Sequence, residues 1–254
     1  MTERQGPPQY IDFMLQRWPV WFFHFVKSFP SLPNQCLVCR SWPSTDVVCP
    51  DCLQRFAPAV FRCTGCALAL PGLSPEQPRC GACLRKPPVW HSAHAWVHYG
   101  YPWSQLIPRW KFAGQPALAA HLARWMRAHA AIAQRIAAAD VLIPVPLSPI
   151  RMRERGYNQA ALLARHLDAT KCQLHSLQRV QHTTAQSSST RAQRLRNLRH
   201  AFAVAEAHRA QITGQRIVLV DDVMTTGATL HAATRALLQA GAAQVDVLCV
   251  ARTP

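Results

Sequence analysis

The densest chemistry in the chain lies in one string, VLVDDVMTTGAT, at Val218–Thr229. The apolar run Ile217–Val220 reads as a strand, and Asp221 and Asp222 follow at once. Two adjacent carboxylates at a strand end suit the two neighbouring hydroxyls of a ribose. Val223, Met224, Thr225, Thr226, Gly227, Ala228 and Thr229 then bend into a helix start. Backbone N–H groups there, with the hydroxyls of Thr225, Thr226 and Thr229, can cradle a phosphate dianion. Gly227 lets the backbone approach that anion closely. An Asp pair that only capped a helix would require neither the threonines nor the glycine.

A second string supplies cations. The strand Val141–Pro146 feeds LSPIRMRERGYNQA, a basic loop holding Arg151, Arg153, Arg155, Gly156, Asn158 and Gln159. Arginine grips two oxygens at once, so Arg151, Arg155, Gly156, Asn158 and Gln159 form a candidate pyrophosphate grip. Lys111, inside Trp110–Gly114 (WKFAG), adds a further cation. A third stretch, Arg179–Phe202, carries five arginines and no acid.

The cysteines form a separate pattern. Eight of the ten fall in four CxxC pairs: Cys36/Cys39, Cys49/Cys52, Cys63/Cys66 and Cys80/Cys83. Each pair can turn two thiolates toward one ion, and two pairs complete a tetrahedral Zn(Cys)4 site. Eight thiols therefore suggest two structural zinc ions, paired in sequence order or interleaved. The stretch is too short and too poor in apolar runs to fold well without metal. Cys172 and Cys249 lie in expected strands and read as buried.

These residues need a scaffold. Short apolar runs at Val141–Pro146, Arg216–Val220 and Val245–Ala251 alternate with helices expected at Gln159–Leu167 and Ala228–Ala240. Such alternation predicts an α/β fold, a parallel sheet with helices on both faces. In that architecture ligands bind beyond the carboxyl ends of the strands, where both candidate loops fall. Another helix is expected over Pro116–Ala138, with Leu118, Leu122, Trp125, Met126, Ile132 and Ile136 on one face. The chain reads as an N-terminal extension (1–35), a cysteine module (36–86) and an α/β domain (87–254), whose first part, 87–139, bridges into that helix.

Length and composition fit this plan, since 254 residues that are 49% apolar can bury a real core. The net charge of +16 favours phosphate-rich partners such as nucleic acid, nucleotides or an anionic membrane surface. No run reaches the roughly 20 apolar residues of a spanning helix. The N-terminus shows no signal-peptide pattern, so the expected compartment is the reducing cytoplasm. Gln5–Lys27 could form an interfacial amphipathic helix or pack on its own domain. Aromatic residues at Trp90, Trp96, Tyr99, Tyr101 and Trp103, among Lys86, His91 and His94, could stack bases. Burial is the competing role.

The string at Val218–Thr229 closely resembles the phosphoribosyl-pyrophosphate (PRPP) motif of type I phosphoribosyltransferases. The likeness implies that Asp221 and Asp222 contact the ribose hydroxyls and that the Thr-Thr-Gly loop holds the 5′-phosphate. It implies PRPP bound with magnesium, and a mobile loop near Arg179–Phe202 closing over the pyrophosphate. Thr225 stands where some purine transferases carry a third acid, which counts against purine salvage through that acid. The order of motifs from Cys36 to Thr253 resembles the ComF/GntX family, which includes the ComFC competence proteins. That order is four CxxC pairs, WKFAG, PVPL…R…RGYNQ, R…T…Q…RNL…F and VLVDDVMTTGAT. The resemblance implies a type I phosphoribosyltransferase-like domain behind a double zinc ribbon, linked to DNA uptake in natural transformation or to DNA use as a nutrient. It also implies single-stranded DNA binding, for which the basic stretch itself offers Arg191, Arg194, Arg196 and Arg199 as candidate contacts. Two expectations follow: a transferase of unknown acceptor, or a non-catalytic DNA-binding module that keeps the PRPP fold.

Overall fold

The structure, a computed structural model, describes residues 34–180 and 201–254. The chain divides into two compact units, Met1–Pro50 and Asp51–Pro254. The expected N-terminal helix at Gln5–Lys27 lies outside the described residues, as do Arg191, Arg194, Arg196 and Arg199.

The larger unit is built on a four-stranded parallel sheet. Its strands are β1 (Ser92–His98), β2 (Val141–Pro144), β5 (Arg216–Met224) and β6 (Gln244–Arg252), in the order β1-β6-β5-β2. A short antiparallel pair, β3 (Leu177–Arg179) with β4 (Phe202–Val204), lies outside this sheet. Side chains alternate between the faces of a strand. Val141, Ile143, Ile217, Leu219, Val245 and Val247 accordingly share one core with Leu230, Ala233 and Leu237 of α9 (Ala228–Gln239). The intervening Leu142, Val218, Val220, Leu248 and Val250 are equally buried. Both faces are thus covered, as the continuous apolar runs require.

Among the described residues, the helices before α9 are α1 (Pro50–Phe56), α2 (Gly81–Arg85), α3 (Trp103–Phe112), α4 (Leu118–Arg127), α5 (Ala130–Ala138), α6 (Pro149–Arg155), α7 (Gln159–Leu167) and α8 (Arg209–Ile212). The helix expected over 116–138 is two helices. His129 between them has extended backbone (φ −84°, ψ 114°), and its carbonyl accepts the N–H groups of Ile132 and Ala133. No Gly or Pro marks the break. It is set by tertiary packing, since α4 packs on α7 whereas α5 reaches β5.

Two further expectations are corrected. The stretch 87–139 contains the edge strand β1, whose register against β6 runs from Ser92↔Asp246 to His98↔Arg252. β5 continues past Val220 to Met224, so Asp221 and Asp222 lie within its last turns of pleat, paired alongside β6. Trp90, Trp96 and Trp103 are buried, and Trp96 lies 4.7 Å from Trp103 and 5.6 Å from Trp125 between ring centroids. Tyr101 is exposed. Cys249 is buried in β6, and Cys172 is half-buried in a single bridge to Leu142. Among the described residues no helix is long and apolar enough to cross a membrane.

Candidate anion-binding site and metal centres

At the carboxyl ends of β2 and β5 lies a cavity of about 330 Å³, lined by residues from several strands and helices of the unit. Asp221, Asp222, Val223, Thr225 and Thr229 come from β5 and the start of α9. Lys111 comes from α3, Arg151 and Arg155 from α6, and Arg179 from β3. Four cations face two carboxylates, so the wall carries a net positive charge suited to an anion with several charges.

The acids are held in place locally. Asp221 Oδ1 accepts the N–H of Asp222 at 2.8 Å, and Asp222 Oδ1 accepts the N–H of Val223 at 2.6 Å. Lys111 Nζ lies 2.7 Å from Asp222 Oδ1. The sequence placed Lys111 on pyrophosphate, whereas here it neutralises one of the two acids. Burial, followed by the adjacent Asp222 charge, pushes the Asp221 carboxyl up to about 7. Burial lowers the Arg155 and Arg179 guanidinium groups from their ordinary values.

The RGYNQ string acts behind the wall. Arg151 and Arg155 lie on a helix, α6, where the sequence suggested a loop; Ser148 caps it by accepting the N–H of Arg151, and Pro149 opens it. Gly156 ends α6 at φ 76°. Gly156, Asn158 and Gln159 do not line the cavity. Asn158 caps α7 through Ala161 N–H and donates from Nδ2 to the Val145 carbonyl at 3.0 Å. The fully buried Gln159 accepts from Arg155 Nη1 at 3.0 Å and donates from Nε2 to the Lys111 carbonyl at 3.1 Å. One amide thereby positions two of the four cations. Tyr157 donates to the Trp110 carbonyl, fixing the WKFAG backbone from the same side.

Gly227 is the N-cap of α9 and has φ 74°. A side chain there would strike Met224 Cε at 3.0 Å and Trp90 Cη2 at 3.1 Å. Both facts favour glycine. Thr225 and Thr229 line the cavity, and Thr226 Oγ1 accepts the Ala228 N–H at 3.4 Å. Tyr99, Val145, Pro146, Leu147 and Thr253 complete the wall. The sequence marked Tyr99 only as a candidate base-stacking aromatic and Thr253 not at all, because the sheet order β1-β6-β5 is what gathers these strand ends.

The eight CxxC thiols gather into two groups, Cys36/Cys39/Cys49/Cys52 and Cys63/Cys66/Cys80/Cys83, each with its sulfur atoms within 4.8 Å of one another. Pairing is in sequence order. Sulfur atoms around a tetrahedral zinc with ~2.3 Å bonds stand about 3.8 Å apart. Cys39 and Cys49 Sγ are 3.6 Å apart, and Cys66 and Cys80 Sγ are 3.8 Å apart. The two groups also repeat one backbone pattern. Cys36 Sγ accepts from the N–H of Val38 and Cys49, as Cys63 Sγ accepts from the N–H of Gly65 and Cys80. Each first CxxC turn ends on a residue with positive φ, Arg40 and Ala67. Hydrogen bonds from Ser41 hold the Cys39 thiol down to about 6. Burial raises Cys63, but N–H donors from Cys80, Cys66 and Gly65 outweigh it and leave that thiol at about 7. Soft donors and sulfur spacing fit a closed four-sulfur zinc site.

Comparison with known proteins agrees with this geometry. A family model described as the phosphoribosyl transferase domain matches residues 117–254. The DNA utilization protein YhgH of Salmonella typhimurium is 33% identical over 235 residues, covering 88% of this chain and 99% of that protein. Competence protein F of Haemophilus influenzae is 36% identical over 180 residues, 68% of this chain and 78% of its own. Competence protein ComFC of Bacillus subtilis is 42% identical over 103 residues, 41% and 40% of the two chains.

Proposed function

The chain belongs to the ComF family of phosphoribosyl transferase domain proteins, and on that premise we propose that its cavity binds PRPP as the magnesium complex. The supporting observation is the meeting of Asp221 and Asp222 with Lys111, Arg151, Arg155 and Arg179 around one 330 Å³ space. Asp221 and Asp222 accept the two ribose hydroxyls. Thr225–Thr229 and the start of α9 hold the 5′-phosphate. Arg151, Arg155 and Arg179 take the pyrophosphate, and Lys111 moves from Asp222 toward it as the second charge arrives. The hard oxygens of the acid pair suit magnesium, which would supply further neutralisation of the pyrophosphate.

In the transferase reading, a nitrogen on the acceptor forms a bond to the anomeric carbon as the bond to pyrophosphate oxygen breaks. The cations stabilise the charge gathering on that leaving group, help worth several kcal/mol in such sites. Zinc at the two cysteine groups is structural in this reading, because all four positions of each site are filled by protein. The setting is the cytoplasm, in a role tied to DNA uptake or utilization.

The charge of +16 and the arginines at 191–199 favour a second reading, a single-stranded-DNA-binding module that retains the PRPP fold. One experiment separates the two. Pyrophosphate release from PRPP is followed with a panel of nitrogen bases, beside a single-stranded DNA titration at several salt concentrations. Base-dependent release marks a transferase. Salt-sensitive DNA binding without release marks the binding module.

A further inference from the structure

Two buried side chains run from the second cysteine group to the phosphate loop. Arg252, the last residue of β6, is 8% exposed. Its Nε donates to the Cys66 carbonyl at 2.8 Å, and its Nη1 donates to the carbonyls of Met224 at 3.1 Å and Thr225 at 2.7 Å. The same Nη1 also reaches Thr253, at its carbonyl and its Oγ1. One guanidinium therefore ties the Cys63–Cys66 turn to the entry of the loop. Trp90 makes the second tie. Its Nε1 donates to the Gly65 carbonyl at 2.7 Å, and its ring edge lies under Gly227. Gly65 and Cys66 are neighbours, so both ties leave from consecutive carbonyls of one CxxC turn. That turn is itself seated on the group's last ligand, since a Cβ on Gly65 would lie 2.7 Å from Cys83 Cβ and Sγ.

A planar guanidinium and a fixed indole transmit position well, because neither has a second low-cost way to satisfy its donors in a buried site. We propose that the Cys63/Cys66/Cys80/Cys83 group, with its metal, sets the shape of the phosphate loop at Thr225–Thr229 through Arg252 and Trp90. Metal occupancy of this group and ligand binding in the cavity are then linked. The linkage is reciprocal: whatever factor metal adds to ligand affinity, ligand adds to metal affinity. The ligand half rests on the PRPP reading above, whereas the loop half does not. Arg252 and Trp90 are positioning residues in this scheme, lying outside the cavity wall.

The test uses the full chain loaded with two zinc ions, compared with Arg252→Met and Trp90→Phe, each checked for retained zinc. Without ligand, amide hydrogen exchange across the loop and its helix start (225–231), where the His231 N–H donates to the Gly227 carbonyl, should quicken in both variants by about tenfold, as loss of a buried hydrogen bond makes local opening easier. Exchange there within about twofold of wild type in both zinc-loaded variants overturns the proposal. The linkage half uses magnesium-PRPP as the probe. Saturating PRPP should slow zinc transfer to a chromophoric chelator from the wild type, and much less from either variant. PRPP that binds by calorimetry yet leaves zinc transfer unchanged also overturns the proposal. Absence of PRPP binding together with quickened loop exchange in the variants removes the ligand reading and supports the coupling. If Trp90→Phe or Arg252→Met fails to hold zinc, Cys80→Ser decides by the same loop-exchange readout, with the same expected rise and the same overturning result.

Discussion

Replacing Gly227 with Ala tests how the phosphate loop is built. Two costs add at this position. The backbone sits at φ 74°, where a residue with a Cβ loses about 1–2 kcal/mol. The new methyl also meets Met224 Cε at 3.0 Å and Trp90 Cη2 at 3.1 Å. The methionine end can swing away. The indole cannot move without weakening its bond to the Gly65 carbonyl, worth about 0.5–1.5 kcal/mol, so the contact adds about 1–2 kcal/mol. The expected destabilisation is about 2–4 kcal/mol. Gly214 supplies the control, because it has φ 76° and open space where a Cβ would go. Gly214→Ala should cost only the backbone part, about 1–2 kcal/mol. Equilibrium unfolding in urea, with zinc present, measures both. Adding Trp90→Phe to Gly227→Ala shortens the ring under the methyl and should recover most of the difference, a coupling readable in a double-mutant cycle. Equal destabilisation by Gly227→Ala and Gly214→Ala, within about 0.5 kcal/mol, would refute the packing of Trp90 under the loop.

Three other outcomes are expected. Protein purified without chelator should carry two zinc ions, and Cys36→Ser or Cys80→Ser should each lose one; elemental analysis finding no zinc contradicts the assignment of the cysteine groups. His94 is held down to about 4 by burial, then by Arg135, with Asp246 opposing and His129 and His91 adding to the shift. With an unfolded value near 6.5, its folded pKa is depressed, so its contribution to stability is present above about pH 6.5. That contribution is lost as pH falls toward 4, by up to about 3 kcal/mol. Asp221, raised to about 7, works in the opposite direction over the same window. The assay is therefore differential: His94→Gln should lose less stability than wild type between pH 7 and pH 5, and parallel losses contradict it. If the binding-module reading holds, changing Arg191, Arg194, Arg196 and Arg199 to Ala should weaken single-stranded DNA binding and flatten its log–log salt dependence by about 0.7 per lost contact. Unchanged affinity and slope would remove that stretch from the DNA site.

The strands β2, β5 and β6 and the helices α7 and α9 were legible because each is a continuous apolar run or a helical stripe with a local stop. β1 was not, since SAHAWVH alternates small, polar and aromatic residues and shows its role only when paired on β6. The break at His129 had no local mark because the partners of α4 and α5 impose it. The acids, threonines and glycine of the phosphate loop were legible as a string. The roles of Gln159 and Asn158 were not, because a buried amide that holds two cations looks in sequence like one that touches a ligand. Arg252, Trp90, Tyr99 and Thr253 belong to the site's surroundings only through strand order. Arg40 and Ala67 adopt positive φ without being glycine, so nothing in their identity announced the repeated cysteine turn.

The central claim is that Asp221 and Asp222 face a bound PRPP. Its most direct test is calorimetric titration of magnesium-PRPP into the zinc-loaded wild type and the Asp221→Asn/Asp222→Asn variant, both verified as folded. Charged hydrogen bonds contribute about 1.5 kcal/mol or more each, so loss of both carboxylates should weaken binding by at least about 100-fold. Saturable binding by the wild type with that loss in the double variant is the predicted result. A wild type that takes up no PRPP, or a folded double variant with unchanged affinity, would contradict the account.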